Sequence, residues 1–249
     1  MNGLGTYAFF WQHSTRALDV DLFQICDFAP LEHLDDRELA DTAAAARDLG
    51  VAIQLGTKGV TPDRLERYLA LADVFDARLV RSMIGGPDGI PPLDQAETWL
   101  RSIVGAYERQ GVTLALETYE QVPTRDLVAL VQRVGSERLG ICLDPANVVA
   151  RLEHPDVCVE ECADLVVSVH AKDFAFRRRE GWVGFELTGA PMGSGLLDYP
   201  ALRAAIDPAE RGIDEIVEHW LPWQGDAPTT LHLEREWTRT AVDYLRSIP

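Results

Sequence analysis

A closed barrel of eight parallel β-strands, with crossover helices between them, is the fold this sequence predicts, on three observations. Short β-branched runs alternate with longer amphipathic stretches, the pattern of a parallel sheet whose strands are joined by helices. Eight such units follow one another without a linker or low-complexity break. The length, 249 residues, matches a single eight-stranded (β/α) barrel, so residues 1–249 are expected to form one domain. A doubly wound open sheet is the competing architecture.

The strands are read at 4–10, 22–26, 51–55, 79–83, 112–117, 139–143, 165–170 and 215–218. Helix starts are legible between them: Thr61 precedes Pro62 and Asp63, Asp94 precedes the run 95–109, and Thr124 precedes 125–134. Gly50, Gly111 and Gly135 follow helical runs and read as their stops. The first unit departs from the pattern. Only residues 11–21 separate the first strand from Leu22, too few for a crossover helix of the usual length, so that helix is read as shortened or missing. The apolar barrel surface left uncovered there is expected to be an interface, making the protein a homo-oligomer, a dimer or higher.

Composition excludes several classes. Hydrophobic residues at 47% and charged residues at 25% describe a chain that buries a core, not a disordered, collagen-like or coiled-coil one. Forty acidic residues against 23 basic ones give a net charge of −17, which repels nucleic acid and anionic membrane surfaces. No apolar run approaches the roughly 18 residues of a spanning helix, and residues 1–11 lack a basic leader, so a cytoplasmic protein is expected. The four cysteines, Cys26, Cys142, Cys158 and Cys162, have no C-x-x-C spacing and are read as reduced structural residues. Lysine is the informative cation: the 23 basic residues include only two lysines, Lys58 and Lys172, against 21 arginines. A compact ammonium with a tunable pKa, kept at two positions in a chain that otherwise uses Arg, marks both as candidates for chemistry.

In a parallel barrel the chemistry sits at the carboxyl ends of the strands. Here the fifth strand ends at Glu117, the sixth at Asp144, the seventh at His170 and the eighth at Glu218. Three carboxylates crowded at one mouth repel one another and are costly to desolvate, and a divalent cation removes both penalties. Each has a bland reading alone: Asp144 as a helix cap, His170 as a satisfied core histidine. Four such residues ending four consecutive strands point instead to an O₃N metal site. That set favours Mn²⁺ or Mg²⁺, with Co²⁺ or Zn²⁺ as substitutes, because no thiolate selects a softer ion.

These motifs resemble the xylose isomerase-like TIM barrels, a superfamily of sugar-phosphate isomerases and epimerases that also contains the family 2 AP endonucleases. The resemblance runs from Gly3-Leu4-Gly5-Thr6-Tyr7 through Leu55-Gly56-Thr57-Lys58-Gly59, Leu143-Asp144 with Asn147, His170-Ala171-Lys172-Asp173 and Gly189-Ala190-Pro191-Met192-Gly193-Ser194-Gly195 to Glu218-His219-Trp220. Within it, the first stretch, the LGTKG stretch and the segment from Glu218 to Pro222 resemble the 3-oxo-isoapionate decarboxylase-like branch. The resemblance implies a metal held by Glu117, Asp144, His170 and Glu218, the same four residues the strand ends indicate. The chain departs from it at Thr118-Tyr119, where relatives carry Asn-His, and at Ser194, where they carry Glu or Gln.

The expected function is therefore a divalent-metal-dependent reaction of a keto sugar or 3-oxo sugar acid through a stabilised enediolate or enolate. If a proton leaves carbon, Glu117 and Glu218 serve as base and acid and the outcome is isomerisation or epimerisation. If carbon dioxide leaves, charge stabilisation and one acid suffice, and Lys172 is the candidate proton donor. Lys58 and Arg81 are candidate anchors for a substrate carboxylate or phosphate. Gln24, Asp27, Gln54 and Asn147 are candidates to bond substrate hydroxyls. Tyr7, Phe9, Phe10 and Trp11, with Trp220 and Trp223, are candidates for an apolar wall. The long loop 174–198, with Arg177-Arg178-Arg179, reads as a solvated run able to serve as a lid. Rival readings are a sugar-phosphate isomerase or epimerase proper, a Schiff-base aldolase using either lysine, and a non-catalytic sugar-binding or oligomeric barrel subunit. Abasic-site DNA cleavage is disfavoured by the negative charge and by the single well-placed histidine.

Overall fold

The computed structural model describes residues 2–5, 18–181 and 183–248. Its strands are β1 (Asn2–Gly5), β2 (Leu22–Cys26), β3 (Ala52–Gly56), β4 (Leu79–Ser82), β5 (Thr113–Glu117), β6 (Leu139–Leu143), β7 (Val166–Ala171), β8 (Asp173–Arg178), β9 (Phe185–Ala190) and β10 (Asp214–Val217). Among the described residues eight strands, all but β8 and β9, close a parallel barrel in the order β1-β2-β3-β4-β5-β6-β7-β10, and β10 pairs back onto β1. Register places Gln24 opposite Gln54, Arg81 opposite Ala115, Glu117 opposite Cys142 and His170 opposite Ile216.

The helices begin where the local chemistry directs. α1 (Asp36–Asp48) opens with a capping box, Asp35 accepting from the Glu38 amide and Glu38 accepting from the Asp35 amide. α2 (Pro62–Phe75) follows Thr61 and uses proline in its first turn. α3 (Leu93–Gln110) and α4 (Thr124–Val134) each start one or two residues earlier than the sequence reading, behind Pro92 and Pro123, and stop at Gly111 and Gly135 in left-handed backbone. Their apolar faces pack against the strands: α2 alone buries Leu65, Tyr68, Leu69, Leu71, Ala72 and Phe75. Each fully buried side chain of this size contributes about 1.5–3 kcal/mol. The Tyr107 hydroxyl of α3 donates to the Leu65 carbonyl (2.9 Å), tying α3 to α2. Farther on are α5 (Pro145–Val148), α6 (Pro155–Cys162), α7 (Tyr199–Ile206), α8 (Pro208–Arg211) and α9 (Ala227–Ser247).

The stretch 174–198, read from sequence as one long loop, is a hairpin at its start. β8 and β9 pair antiparallel from Asp173 opposite Ala190 to Arg178 opposite Phe185. Phe174 and Phe176 meet edge to face (centroids 6.3 Å apart), Arg177 pairs with Glu186, and the Arg178 guanidinium covers the Phe185 ring at 4.5 Å. The arginine run is thus part of a strand with a solvated outer half. The shortened first crossover and the interface expected beside it fall mainly on residues 6–17, outside the described residues, as do Tyr7, Phe9, Phe10 and Trp11. Among the described residues no helix is long and apolar enough to cross a membrane.

Candidate active site

Strand alternation and the ends of β5, β6, β7 and β10 bring the four expected ligands together. One ligand atom each from Glu117, Asp144 and His170 lie within 4.8 Å of one another. His170 Nδ1 is 3.4 Å from Glu218 Oε1, 3.7 Å from Glu117 Oε1 and 3.9 Å from Asp144 Oδ2. All four residues are buried. Asp144 Oδ1, His170 Nδ1 and Glu218 Oε1 make no hydrogen bond among the described residues, while Asp144 Oδ2 meets the Lys172 ammonium. Buried polar atoms without such partners are costly, and electron-rich atoms from three carboxylates and one imidazole facing one point fit a divalent cation.

Neighbouring groups set the ligands in place. The Thr118 hydroxyl accepts from the Asp144 amide (2.8 Å) and donates to the Asp144 carbonyl (3.0 Å), locking the end of β6 to the end of β5. The position that departs from the family pattern is therefore a structural clamp for the Asp144 backbone. Asn147 Nδ2 donates to Glu117 Oε1 (2.6 Å), and Arg81 Nε donates to Glu117 Oε2, so both oxygens of Glu117 are engaged. Arg81 also donates to the Thr57 carbonyl (3.0 Å) and faces Asp27 (3.4 Å). It is buried and committed to protein groups, with its charge taken up by Glu117 and Asp27. Lys58 Nζ lies 3.3 Å from Asp27 Oδ2 with 45% of its side chain exposed, at the rim.

Lys172 is the buried cation of the site. Its Nζ lies 2.6 Å from Asp144 Oδ2, 3.4 Å from Glu218 Oε2 and 3.2 Å from Asn147 Oδ1, and 4.4 Å from the centre of the Trp220 ring. The cleft beside it is lined by Asp27, Lys58, Met83, Tyr119 and Trp220 among others. Trp223, grouped with Trp220 in the sequence reading, is 52% exposed. Gln24 and Gln54 point elsewhere: they bond each other across the barrel interior (3.1 Å) beneath His170 instead of facing the cleft.

Charge follows from this packing. Burial would raise the Glu117 carboxyl, but the Arg81 guanidinium and the His170 ring outweigh it and hold the group well below the usual carboxylate range. Burial raises Asp144 to about 6 against the pull of Lys172. Burial disfavours charge on His170 and Lys172, yet the surrounding groups prevail, Cys142, Glu218 and Glu117 at His170 and Asp144 and Glu218 at Lys172, and both hold their protons above the ordinary range.

Asp173, beside Lys172, was not singled out by sequence. Its buried carboxylate accepts from the amides of Phe174 (2.8 Å), Gly193 (3.0 Å), Gly195 (2.8 Å) and Leu197 (3.1 Å). A Cβ at Gly195 would stand 2.2 Å from Asp173 Oδ1, so only glycine fits that wrap. The glycines of Gly193-Ser194-Gly195 therefore serve this cradle. Ser194 itself is exposed and donates to the Pro191 carbonyl (2.6 Å).

A parallel barrel with three carboxylates and one imidazole gathered at the ends of β5, β6, β7 and β10 defines a class, and comparison with known proteins gives the family. The chain belongs to the xylose isomerase-like TIM barrel family, whose model matches residues 15–248. It is 46% identical over 258 aligned positions to the 3-oxo-isoapionate decarboxylase of Pectobacterium atrosepticum, covering 98% of this chain and 94% of that one. Among solved structures, D-psicose 3-epimerase in the presence of D-fructose superposes with a TM-score of 0.74 at 14% identity, covering 99% of this chain and 98% of that one. A xylose isomerase-like TIM barrel protein from Mycobacterium smegmatis in complex with magnesium gives 0.70 at 18% identity, covering 92% and 86%. These two likenesses establish the fold. The 46% relative supports an enzyme of carboxy-lyase or isomerase type.

Proposed function

We propose that this chain is a divalent-metal-dependent decarboxylase of a 3-oxo sugar acid, with Glu117, Asp144, His170 and Glu218 as the metal ligands. One observation carries the choice of decarboxylation over epimerisation. Epimerisation through Glu117 and Glu218 needs both carboxylates to exchange a proton with carbon, one as base and one as acid, and both oxygens of Glu117 are held, by Arg81 and by Asn147, with its carboxyl pushed well below the range of a useful base. Loss of carbon dioxide from a 3-oxo acid needs no base. The bond to the carboxylate carbon breaks, its electron pair moves onto the 3-oxo group, and the enolate then takes one proton at carbon. A divalent cation such as Mn²⁺ or Mg²⁺ supplies the Lewis-acid charge that stabilises that enolate.

This chain's own residues do the rest. Lys172 is the proton donor, held at the site by Asp144, Glu218 and the Trp220 face. Neutralising the two carboxylates that raise its pKa loosens its hold on the proton it must give up. Lys58, at the rim, pairs with the substrate's anionic end, and Tyr119 and Trp220 cover its apolar face. Charge balance supports a monoanionic substrate. With His170 neutral as a ligand, Asp27, Glu117, Asp144 and Glu218 face Lys58, Arg81 and Lys172, one negative charge in excess. A divalent ion turns that into one positive charge, which a single carboxylate cancels and a phosphate dianion overshoots. The relative named a 3-oxo-isoapionate decarboxylase adds independent support.

The test is incubation of Mn²⁺-loaded protein in D₂O with a panel of 3-oxo sugar acids and keto sugars. Carbon dioxide release matched by one deuterium at the new C–H position is expected. Epimer exchange of keto sugars without gas release would assign the protein to the isomerase and epimerase side of the family.

A further inference from the structure

We infer that Gln24, Gln54 and Asp214 form a polarised hydrogen-bond chain through the barrel interior that makes Nδ1 of His170 the nitrogen offered to the cation, and that Gln24 is a positioning residue for the metal site. The inference rests on the reading of Glu117, Asp144, His170 and Glu218 as ligands. His170 Nε2 lies 2.9 Å from Gln24 Oε1, Gln24 Nε2 donates to Gln54 Oε1 (3.1 Å), and Gln54 Nε2 donates to Asp214 Oδ2 (2.8 Å). The chain crosses the barrel from β7 to β2, passes to β3, and returns to the start of β10.

Its direction is dictated from the far end. A glutamine amide can be turned over with no change of shape, so neither glutamine fixes its own orientation. A carboxylate only accepts. Asp214 therefore draws the NH₂ of Gln54, the Gln54 carbonyl draws the NH₂ of Gln24, and the Gln24 carbonyl is left facing His170. That carbonyl needs a donor, so a proton sits on Nε2, and Nδ1, which faces Glu117, Asp144 and Glu218, is the nitrogen that yields its proton when a cation binds. Gln24 and His170 are fully buried and Gln54 is 5% exposed. Barrel interiors are ordinarily filled with Val, Ile and Leu. Two glutamines there cost desolvation that aliphatic side chains avoid, and orientation of a ligand imidazole accounts for their presence. Outer partners of metal-bound histidines fix tautomer and ring plane in this way.

The test uses chelator-stripped full-length protein titrated with Mn²⁺, and ¹⁵N-histidine spectra of the Zn²⁺-loaded wild type. Gln24→Leu is expected to weaken Mn²⁺ binding about 10–100-fold. The double variant Gln24→Glu with Asp214→Asn moves the acceptor-only group to the other end of the chain. The carboxylate at position 24 then accepts from His170 and from a turned-over Gln54, whose carbonyl accepts from the amide at position 214, so affinity is expected to recover most of that loss. The spectra are expected to show the His170 proton on Nε2. A proton on Nδ1, undiminished affinity in Gln24→Leu, or no recovery in a folded double variant would each overturn the inference. If Gln24→Leu does not fold, the double variant and the spectra decide the matter. Absence of Mn²⁺ binding by the wild type defeats the metal reading itself, whereas binding that ignores Gln24 defeats this inference alone.

Discussion

Lys172 Nζ stands 2.6 Å from Asp144 Oδ2, so a buried ammonium flanks the carboxylate that is to hold the cation. The two positive charges share one partner, and removing one leaves more of Asp144 to the other. Lys172→Met is therefore expected to lower kcat by about 10²–10⁴-fold, the usual contribution of a general acid, without weakening Mn²⁺ binding. Steady-state kinetics and an Mn²⁺ titration on the same preparation check both halves.

Glu117 and Glu218 differ in what they leave behind when neutralised. Both Glu117→Gln and Glu218→Gln are expected to abolish turnover with the fold retained, but at different stability. Arg81, with 3% of its side chain exposed, keeps only its Asp27 ion pair when Glu117 loses its charge. Glu117→Gln is expected to fall at the low end of the about 3–5 kcal/mol seen when a buried pair is broken, and Glu218→Gln to cost less. Denaturant melts of the metal-free variants give the order.

Lys58 reaches the cleft from the rim with 45% of its side chain in solvent. Lys58→Met is expected to raise KM about 10-fold, the lower part of the range for a charge-assisted hydrogen bond, and to leave kcat nearly unchanged. A fall in kcat with constant KM would place Lys58 in the chemical step.

Metal affinity is expected to depend on pH with a definite sign. Ligands bind a cation only after losing their protons, so affinity rises with pH wherever a ligand titrates. Asp144, raised by burial to about 6, sheds its proton through that region. His170 keeps its proton above the ordinary imidazole range, burial being outweighed by its anionic neighbours, so the rise continues at higher pH. Mn²⁺ titrations on both sides of pH 6 and into the alkaline range check this, and a flat profile would contradict it.

Much of the barrel was readable because it follows from local rules. Short apolar runs between helical stretches marked β2 and β6 to the residue, and strand ends marked Glu117, Asp144, His170 and Glu218, which the fold brings together. What escaped depends on contacts between distant segments. Gln24 reads as a polar strand residue facing substrate until His170, 146 positions away, is seen to bond it. Arg81 reads as an anion site until Glu117 takes it. The β8–β9 hairpin escaped because its arginines, half in solvent, read like any surface run. Asp173 escaped because its four partners are backbone amides, which leave no mark in side-chain chemistry.

The central claim is that Glu117, Asp144, His170 and Glu218 hold one divalent ion together. Electron paramagnetic resonance of Mn²⁺ added to the chelator-stripped wild type and to Asp144→Ala tests it most directly, because Asp144 Oδ1 lies buried without a hydrogen bond among the described residues. The account expects a single tightly bound ion per wild-type chain and binding weakened by about 100-fold or more in the variant. A wild type that binds no Mn²⁺, or a variant that binds it equally well, would contradict the account.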